Sequence, residues 1–114
     1  MNEYDDGKIW FRKKGKMITL GITEKVLEEI GEVDSLSLPG EGDEISQDDV
    51  IGEVSGTRGS FEMITPVDGS VVSINHELVD HYDLLTEDPL DEGWICKIRM
   101  ESPLEDEEDS EEES

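Results

Sequence analysis

Basic residues are scarce in this chain of 114 residues, which has 9 lysines and arginines against 32 aspartates and glutamates. The formal net charge at pH 7 is −23, and from Glu101 onward there are nine acidic residues and no basic ones. A surface this negative repels nucleic acid and anionic lipid, which excludes both as main partners. The charge favours solubility, and the alternative is that it steers the protein toward a basic partner surface.

Cysteine and long hydrophobic runs are also lacking. Cys96 is the single cysteine, so no disulfide can form within the chain. It lies in the apolar run at residues 94–98, which predicts a small buried hydrophobe rather than a reactive thiol. No apolar stretch approaches the length of a membrane span, and the acidic first seven residues are unlike a signal peptide. We therefore expect a cytoplasmic protein.

The apolar residues that are present predict a mostly β domain with short helices. Ile18, Leu20 and Ile22 alternate with other residues in the second of two strands predicted within residues 8–22. Thr23 is a suitable N-cap for a helix carrying Val26, Leu27 and Ile30, and Gly31 is a suitable stop. Further strands are predicted at residues 36–38, 50–54, 61–64, 70–74 and 94–100, with a second short helix that is capped by Asn75 and carries Leu78, Val79 and Tyr82.

The chain divides into three parts by composition. Residues 1–7 are predicted to be a flexible N-terminus, and residues 8–100 a single folded domain. Residues 101–114 hold almost no apolar side chains to offset the entropy of ordering, which predicts a disordered acidic tail. Ser110 in this tail is a candidate phosphorylation site, although a solvating role explains the tail better.

Arg58 is the only basic residue between Val26 and Cys96. It lies in the turn Gly56-Thr57-Arg58-Gly59 between two predicted strands, so we expect its side chain to meet something outside the domain. The two glycines are expected to loosen this turn. A lysine here could be acylated and carry a swinging cofactor, whereas an arginine guanidinium stays protonated and is a poor nucleophile.

The two histidines are the only candidates for a metal or catalytic site. His76 and Asp80 are four residues apart on a predicted helix, with Glu77, His81 and Asp83 nearby. Two histidines without a third firm ligand specify no metal, and the acidic loop at residues 41–44 lacks the spacing of a calcium loop. We expect surface histidines, no metal and no enzymatic activity.

Several blocks, in order, resemble the H protein of the glycine cleavage system. They are GIT at residues 21–23, LPGEGDEI at 38–45, TPVDGSVVSIN at 65–75 and LLTEDPLDEGWICKI at 84–98. The last block is the most specific, and the order of blocks carries more weight than any single motif. The resemblance spans about residues 10–100. It implies a barrel-sandwich hybrid of two small antiparallel sheets, with two or three short helices at the edges.

The resemblance also implies a function. In this family the lipoyl-lysine at the hairpin tip shuttles an aminomethyl group from glycine decarboxylase to aminomethyltransferase, and the H protein itself catalyses nothing. A dihydrolipoamide dehydrogenase then reoxidises the arm. Tethering raises the effective concentration of the intermediate at each partner. We expect this chain to be a monomer.

This chain departs from the family at the carrier position. A gapless alignment over residues 52–66 places Arg58 on the modified lysine, and none of the six lysines lies in the hairpin. We therefore expect no lipoate on this chain. Ser55 replaces an acidic residue of the family, and Lys8 stands where the family often has histidine.

Three explanations of Arg58 remain open. The first is natural loss of lipoylation, leaving a binding or regulatory module around glycine cleavage or lipoate metabolism, with lipoate-attaching enzymes among its candidate partners. The second is a genuine carrier whose lysine was replaced in this chain. The third is a surface ion pair of Arg58 with Glu53 or Glu62, worth about 0–1 kcal/mol. The further departures at Ser55, Gly56 and Gly59 favour the first.

Overall fold

The computed structural model describes residues 2–101, and its architecture is mostly β, as predicted. Two antiparallel sheets form the body of the domain, and three short helices lie beside them. In chain order the described elements are β1 (Asn2–Tyr4), β2 (Ile9–Lys14), β3 (Met17–Ile22), α1 (Glu24–Ile30), β4 (Val33–Ser37), β5 (Glu44–Ile45), β6 (Val50–Gly56), β7 (Gly59–Ile64), β8 (Gly69–Ile74), α2 (Glu77–Asp80), α3 (Asp83–Glu87) and β9 (Cys96–Met100).

The larger sheet has six strands in the order β1-β2-β3-β9-β8-β5, and the smaller has three in the order β4-β6-β7. Strand β9 is the last of the described elements, yet it lies between β3 and β8 in the interior of the larger sheet. The sheet is therefore complete only when β9 has paired with both neighbours.

The core lies on one face of the larger sheet and follows the predicted alternation. Ile18, Leu20 and Ile22 of β3 are fully buried, and Cys96 and Ile98 of β9 join them. The predicted burial of Cys96 is confirmed. Burial raises the pKa of its thiol to about 12, because the thiolate loses its hydration.

A tryptophan clamp joins the larger sheet to the loop before β9. Trp10 of β2 is fully buried and lies opposite Gly21 of β3. A methyl group at Gly21 would come within 2.5 Å of the indole, so the ring occupies the space that a side chain would need. The indole Nε1 donates a hydrogen bond to the carbonyl of Pro89 at 2.7 Å, which ties residues distant in the chain together.

The start of the chain contributes an edge strand to the larger sheet. Asn2–Tyr4 forms β1, which pairs antiparallel with β2. The Tyr4 hydroxyl also donates a hydrogen bond to Asp48, 44 residues away. This long-range contact holds a segment whose own composition predicts no strand. At the other end, the predicted disordered tail beyond Glu101 and the candidate phosphorylation site Ser110 lie outside the described residues.

The residues predicted to start and end the first helix are confirmed in part. Gly31 ends α1 with a φ of 81°, and its N–H donates to the Leu27 carbonyl at 3.0 Å. Thr23 precedes α1 as predicted, but its hydroxyl donates to the Gly7 carbonyl at 2.7 Å instead of capping the helix. The prediction was wrong in this detail, because the nearby β1–β2 loop offers the hydroxyl an acceptor.

The second predicted helix is divided in two. Residue Tyr82 lies between α2 and α3, and Val79 is 57% exposed. Asn75 is buried, and its amide donates to the carbonyls of Glu92 and Trp94. Its Oδ1 accepts a hydrogen bond from the Glu77 N–H at 3.2 Å, so it does support the start of α2. No helix within residues 2–101 has the length and apolar character of a bilayer span.

Candidate functional site

The β6–β7 hairpin presents the turn that contains Arg58. The strands pair from Val50 with Ile64 to Gly56 with Gly59, which leaves Thr57 and Arg58 as the two turn residues. This turn rests on the end of α1. The Arg58 N–H donates to the Ile30 carbonyl at 2.7 Å, and the Thr57 N–H donates to the Glu32 carbonyl at 3.0 Å. The hairpin tip is therefore hydrogen-bonded to the domain through its backbone.

The Arg58 side chain also folds back onto α1. Its guanidinium Nη2 donates a hydrogen bond to the carbonyl of Glu28. The last carbonyls of a helix lack partners within the helix and carry partial negative charge, so a cation there is favourable. Helix α1 has no basic residue in its own last turn. Arg58 supplies that charge from another part of the chain.

The predicted ion pair across the hairpin is absent from the part of the chain that the structure describes. Glu53 and Glu62 lie directly opposite each other in the β6–β7 register, and both are exposed. Their like charges repel each other. The partner of the Arg58 guanidinium is instead a backbone carbonyl of α1.

Two glycines make the contact between the hairpin and α1 close. A methyl group at Gly56 would lie 2.5 Å from the Ile30 carbonyl oxygen and 2.7 Å from that of Glu32. A methyl group at Gly31 would lie 2.5 Å from the Thr57 hydroxyl oxygen. The expectation that Gly56 loosens the turn is therefore wrong, because its missing side chain lets the turn pack against the helix. Gly59 has nothing within 4 Å of the corresponding position.

Lys8 approaches the same helix from the other sheet. Its Nζ lies 3.6 Å from a carboxylate oxygen of Glu29 and 5.9 Å from the centroid of the Phe61 ring. Lys8 precedes β2, and Phe61 belongs to β7. Arg58 and Lys8 thus both contact the last turns of α1, one at the backbone and one at a side chain.

A cleft of about 610 Å³ opens at the end of α1, with α3 and β4 as its other walls. Because Gly31 lines it and also contacts the turn, the cleft lies beside the hairpin tip. The sequence patterns did not predict this cleft, because its lining comes from three separate elements of the chain. Its lining combines apolar Leu27, Val33 and Tyr82 with acidic Glu32, Asp83 and Glu87. Such a surface suits a positively charged group with an apolar stem.

The histidines lie apart from this hairpin. His76 Nε2 is 3.4 Å from a carboxylate oxygen of Glu41 and is 72% exposed, while His81 follows the end of α2. Within residues 2–101 no three histidine, cysteine or acidic side chains are grouped to hold a metal ion. In the acidic loop, Asp43 accepts a hydrogen bond from the Gly40 N–H at 3.0 Å, so this carboxylate has a local structural partner.

The family model described as Glycine cleavage H-protein matches residues 2–114. The chain belongs to the glycine cleavage H-protein family. The glycine cleavage system H protein of Clavibacter sepedonicus is 36% identical over 93 residues, which cover 82% of this chain and 76% of the relative. The H protein of Cyanothece sp. strain PCC 7425 is 31% identical over 103 residues, which cover 90% and 80% respectively.

A solved structure supports the same assignment. The crystal structure of a glycine cleavage system H protein from Mycobacterium marinum superimposes with a TM-score of 0.78 at 25% identity, covering 87% of this chain and 83% of that one. The fold expected from the resemblance, two antiparallel sheets with a few short helices, is confirmed, although the sheets are unequal in size.

Proposed function

We propose that this chain is an H-protein-like module that carries no lipoate and acts by binding protein partners rather than by catalysis. The observation that supports the proposal is that Arg58 lies at the hairpin tip, where its guanidinium donates a hydrogen bond to the Glu28 carbonyl of α1. The resemblance to H proteins implies that the family's lipoyl-lysine occupies this position. Lipoate attachment needs a nucleophilic amine, and a guanidinium that remains protonated does not supply one.

The anchoring of the tip supports the same proposal. A carrier arm must leave the protein surface to visit successive enzymes. At this tip the Arg58 backbone is held by Ile30, and its side chain reaches back toward the same helix. Gly56 and Gly31 are both needed for that close contact. The residues around the tip are thus arranged to hold the turn against α1, which suits a docking surface better than a mobile arm.

The charge of the cleft beside the tip indicates the kind of partner. Glu32, Asp83 and Glu87 give it a negative rim around apolar Leu27 and Val33. A basic protein surface with one inserted lysine or arginine stem complements it. We propose that the partner is a protein of glycine cleavage or lipoate metabolism, namely glycine decarboxylase, aminomethyltransferase or a lipoate-attaching enzyme, and that the chain docks as a monomer.

Binding to these three enzymes tests the proposal. We expect the purified chain to bind at least one of them at low salt, with an affinity that falls as salt is added because rim charges are screened. Replacing Asp83 by Asn and Glu87 by Gln should weaken the complex, mainly through slower association. Isothermal titration and stopped-flow kinetics measure both effects.

Glu44→Gln is the matched control for each single substitution, because it removes one charge and Glu44 is exposed on edge strand β5 of the larger sheet, away from α1 in the topology. It should leave the affinity unchanged. Failure to bind any of the three enzymes at low salt would contradict the proposed function. Binding that the cleft variants weaken no more than Glu44→Gln does would contradict the proposed surface.

A further inference from the structure

The solvent face of the larger sheet gathers basic residues, in contrast to the rest of the chain. Arg12 and Lys14 lie on β2, and Lys97 and Arg99 lie on β9, with β3 between the two strands. These four residues, which we call the basic face, are four of the nine lysines and arginines in a chain of net charge −23. The register aligns them in two rows, Arg12–Thr19–Lys97 and Lys14–Met17–Arg99.

The rows lie close together and point away from the core. Their neighbours in sequence, such as Ile18 and Ile98, are fully buried, and side chains alternate between the two faces of a strand. Adjacent strands are about 4.8 Å apart and alternate residues about 7 Å apart, so the four Cα atoms fall within roughly 10 by 7 Å. Four positive charges therefore share a small area.

No carboxylate pairs with these cations within residues 2–101. Arg12 stacks on the Trp10 ring at 4.8 Å and donates to the Leu90 carbonyl, and Lys97 lies 5.1 Å from the centroid of the Trp94 ring. Lys14 and Arg99 have no hydrogen-bond, ion-pair or ring partner in that range. Like charges at this spacing repel one another, and an anionic segment laid across them would relieve the repulsion.

We propose that the basic face binds the chain's own acidic segment, residues 102–114. This segment contains eight acidic residues and no basic one. It begins two residues after Met100, the last residue of β9, and so leaves the sheet beside Arg99. Its first two residues are Ser102 and Pro103, a pair that favours a turn and can reverse the chain toward the sheet.

The length of the segment favours this occupant over a separate acidic protein. Thirteen extended residues span at most about 45 Å, several times the width of the basic face. Because the segment is covalently attached, its effective concentration at the basic face is of millimolar order. A separate acidic protein would need a higher concentration or a higher affinity to displace it. The proposed occupant of the basic face is therefore this segment rather than a separate acidic protein.

A spin label on the intact chain tests this contact. A nitroxide attached at Ser110→Cys labels the segment alone, because Cys96 is buried and its thiol is protonated. At low salt we expect loss of amide signal for Thr19, Lys97 and Arg99 relative to the β6–β7 hairpin. High salt should restore the signals, since exposed charges are then screened.

Matched charge variants make the test specific. Lys97→Gln with Arg99→Gln should abolish the signal loss, whereas Lys8→Gln with Lys25→Gln, which removes the same charge elsewhere, should retain it. Equal signal loss in both variant pairs would overturn the proposal, as would no signal loss in the parent chain.

A mixing experiment separates contact within one chain from contact between two copies. A mixture of isotope-labelled chain without a nitroxide and nitroxide-labelled chain without isotopes should show no signal loss. A loss in that mixture would mean that a second copy supplies the segment, which also overturns it.

Discussion

Arg58→Lys is expected to gain at most partial lipoylation when the chain is co-expressed with a lipoate ligase and supplied with lipoate. The substitution introduces the amine that the parent lacks. It leaves the backbone hydrogen bonds of the turn to Ile30 and Glu32 in place. It also leaves Ser55 in place, at a position where the resemblance to H proteins implies an acidic residue. The ligase must therefore modify a lysine in a turn that remains held on α1, and intact mass measures the modified fraction.

Arg58→Gln is the matched control for this substitution, because it removes the guanidinium without adding an amine. It should stay wholly unmodified under the same conditions. Complete lipoylation of Arg58→Lys would show that the turn is already competent for the ligase. That outcome would contradict a turn adapted to docking and would favour a carrier whose lysine was replaced.

Trp10→Ala should destabilise the domain by about 3–5 kcal/mol, the usual cost of truncating a large buried aromatic side chain. The indole covers Gly21 and hydrogen-bonds to the Pro89 carbonyl, so its loss opens a cavity and releases the loop before β9. Because domains of this size are stable by only about 5–15 kcal/mol, this variant can approach the unfolding threshold. Urea denaturation followed by circular dichroism measures the change.

Two companion variants keep the experiment interpretable. Trp10→Phe retains a ring over Gly21 but leaves the Pro89 carbonyl without its donor, at a cost of about 1–3 kcal/mol plus the smaller ring's lost contacts. Val79→Ala changes a side chain that is 57% exposed, and it should shift stability by less than about 0.5 kcal/mol. If Trp10→Ala cost no more than Val79→Ala, the clamp would have no structural importance.

Local patterns predicted the elements whose determinants are local. The alternation at Ile18, Leu20 and Ile22 gave β3 and its buried face, and Gly31 gave the end of α1. These signals succeed because side-chain periodicity and positive φ depend on the residues themselves. The resemblance to H proteins supplied the arrangement of the two sheets, which no single strand pattern contains.

The features that escaped prediction all depend on contacts distant in the chain. The Thr23 hydroxyl donates a hydrogen bond to the Gly7 carbonyl instead of capping the helix, and Asn2–Tyr4 pairs with β2. The Arg58 guanidinium donates a hydrogen bond to the backbone carbonyl of Glu28, which lies 30 residues earlier in the chain. The basic face exists only because β9 inserts beside β3, which brings Lys97 and Arg99 opposite residues near the start of the chain. The spacing of residues in the sequence does not indicate which distant residues will contact one another.

We propose that Arg58 at the hairpin tip leaves this chain unable to carry lipoate, and the mass of the parent chain tests that proposal most directly. The chain should be co-expressed with an active lipoate ligase and lipoate, beside a lipoylatable carrier that confirms modification in the same cells. We expect the parent chain to show its unmodified mass alone, because Arg58 offers no acylable amine and no lysine lies in the hairpin. A species heavier by one lipoyl group would contradict the proposed loss of lipoylation.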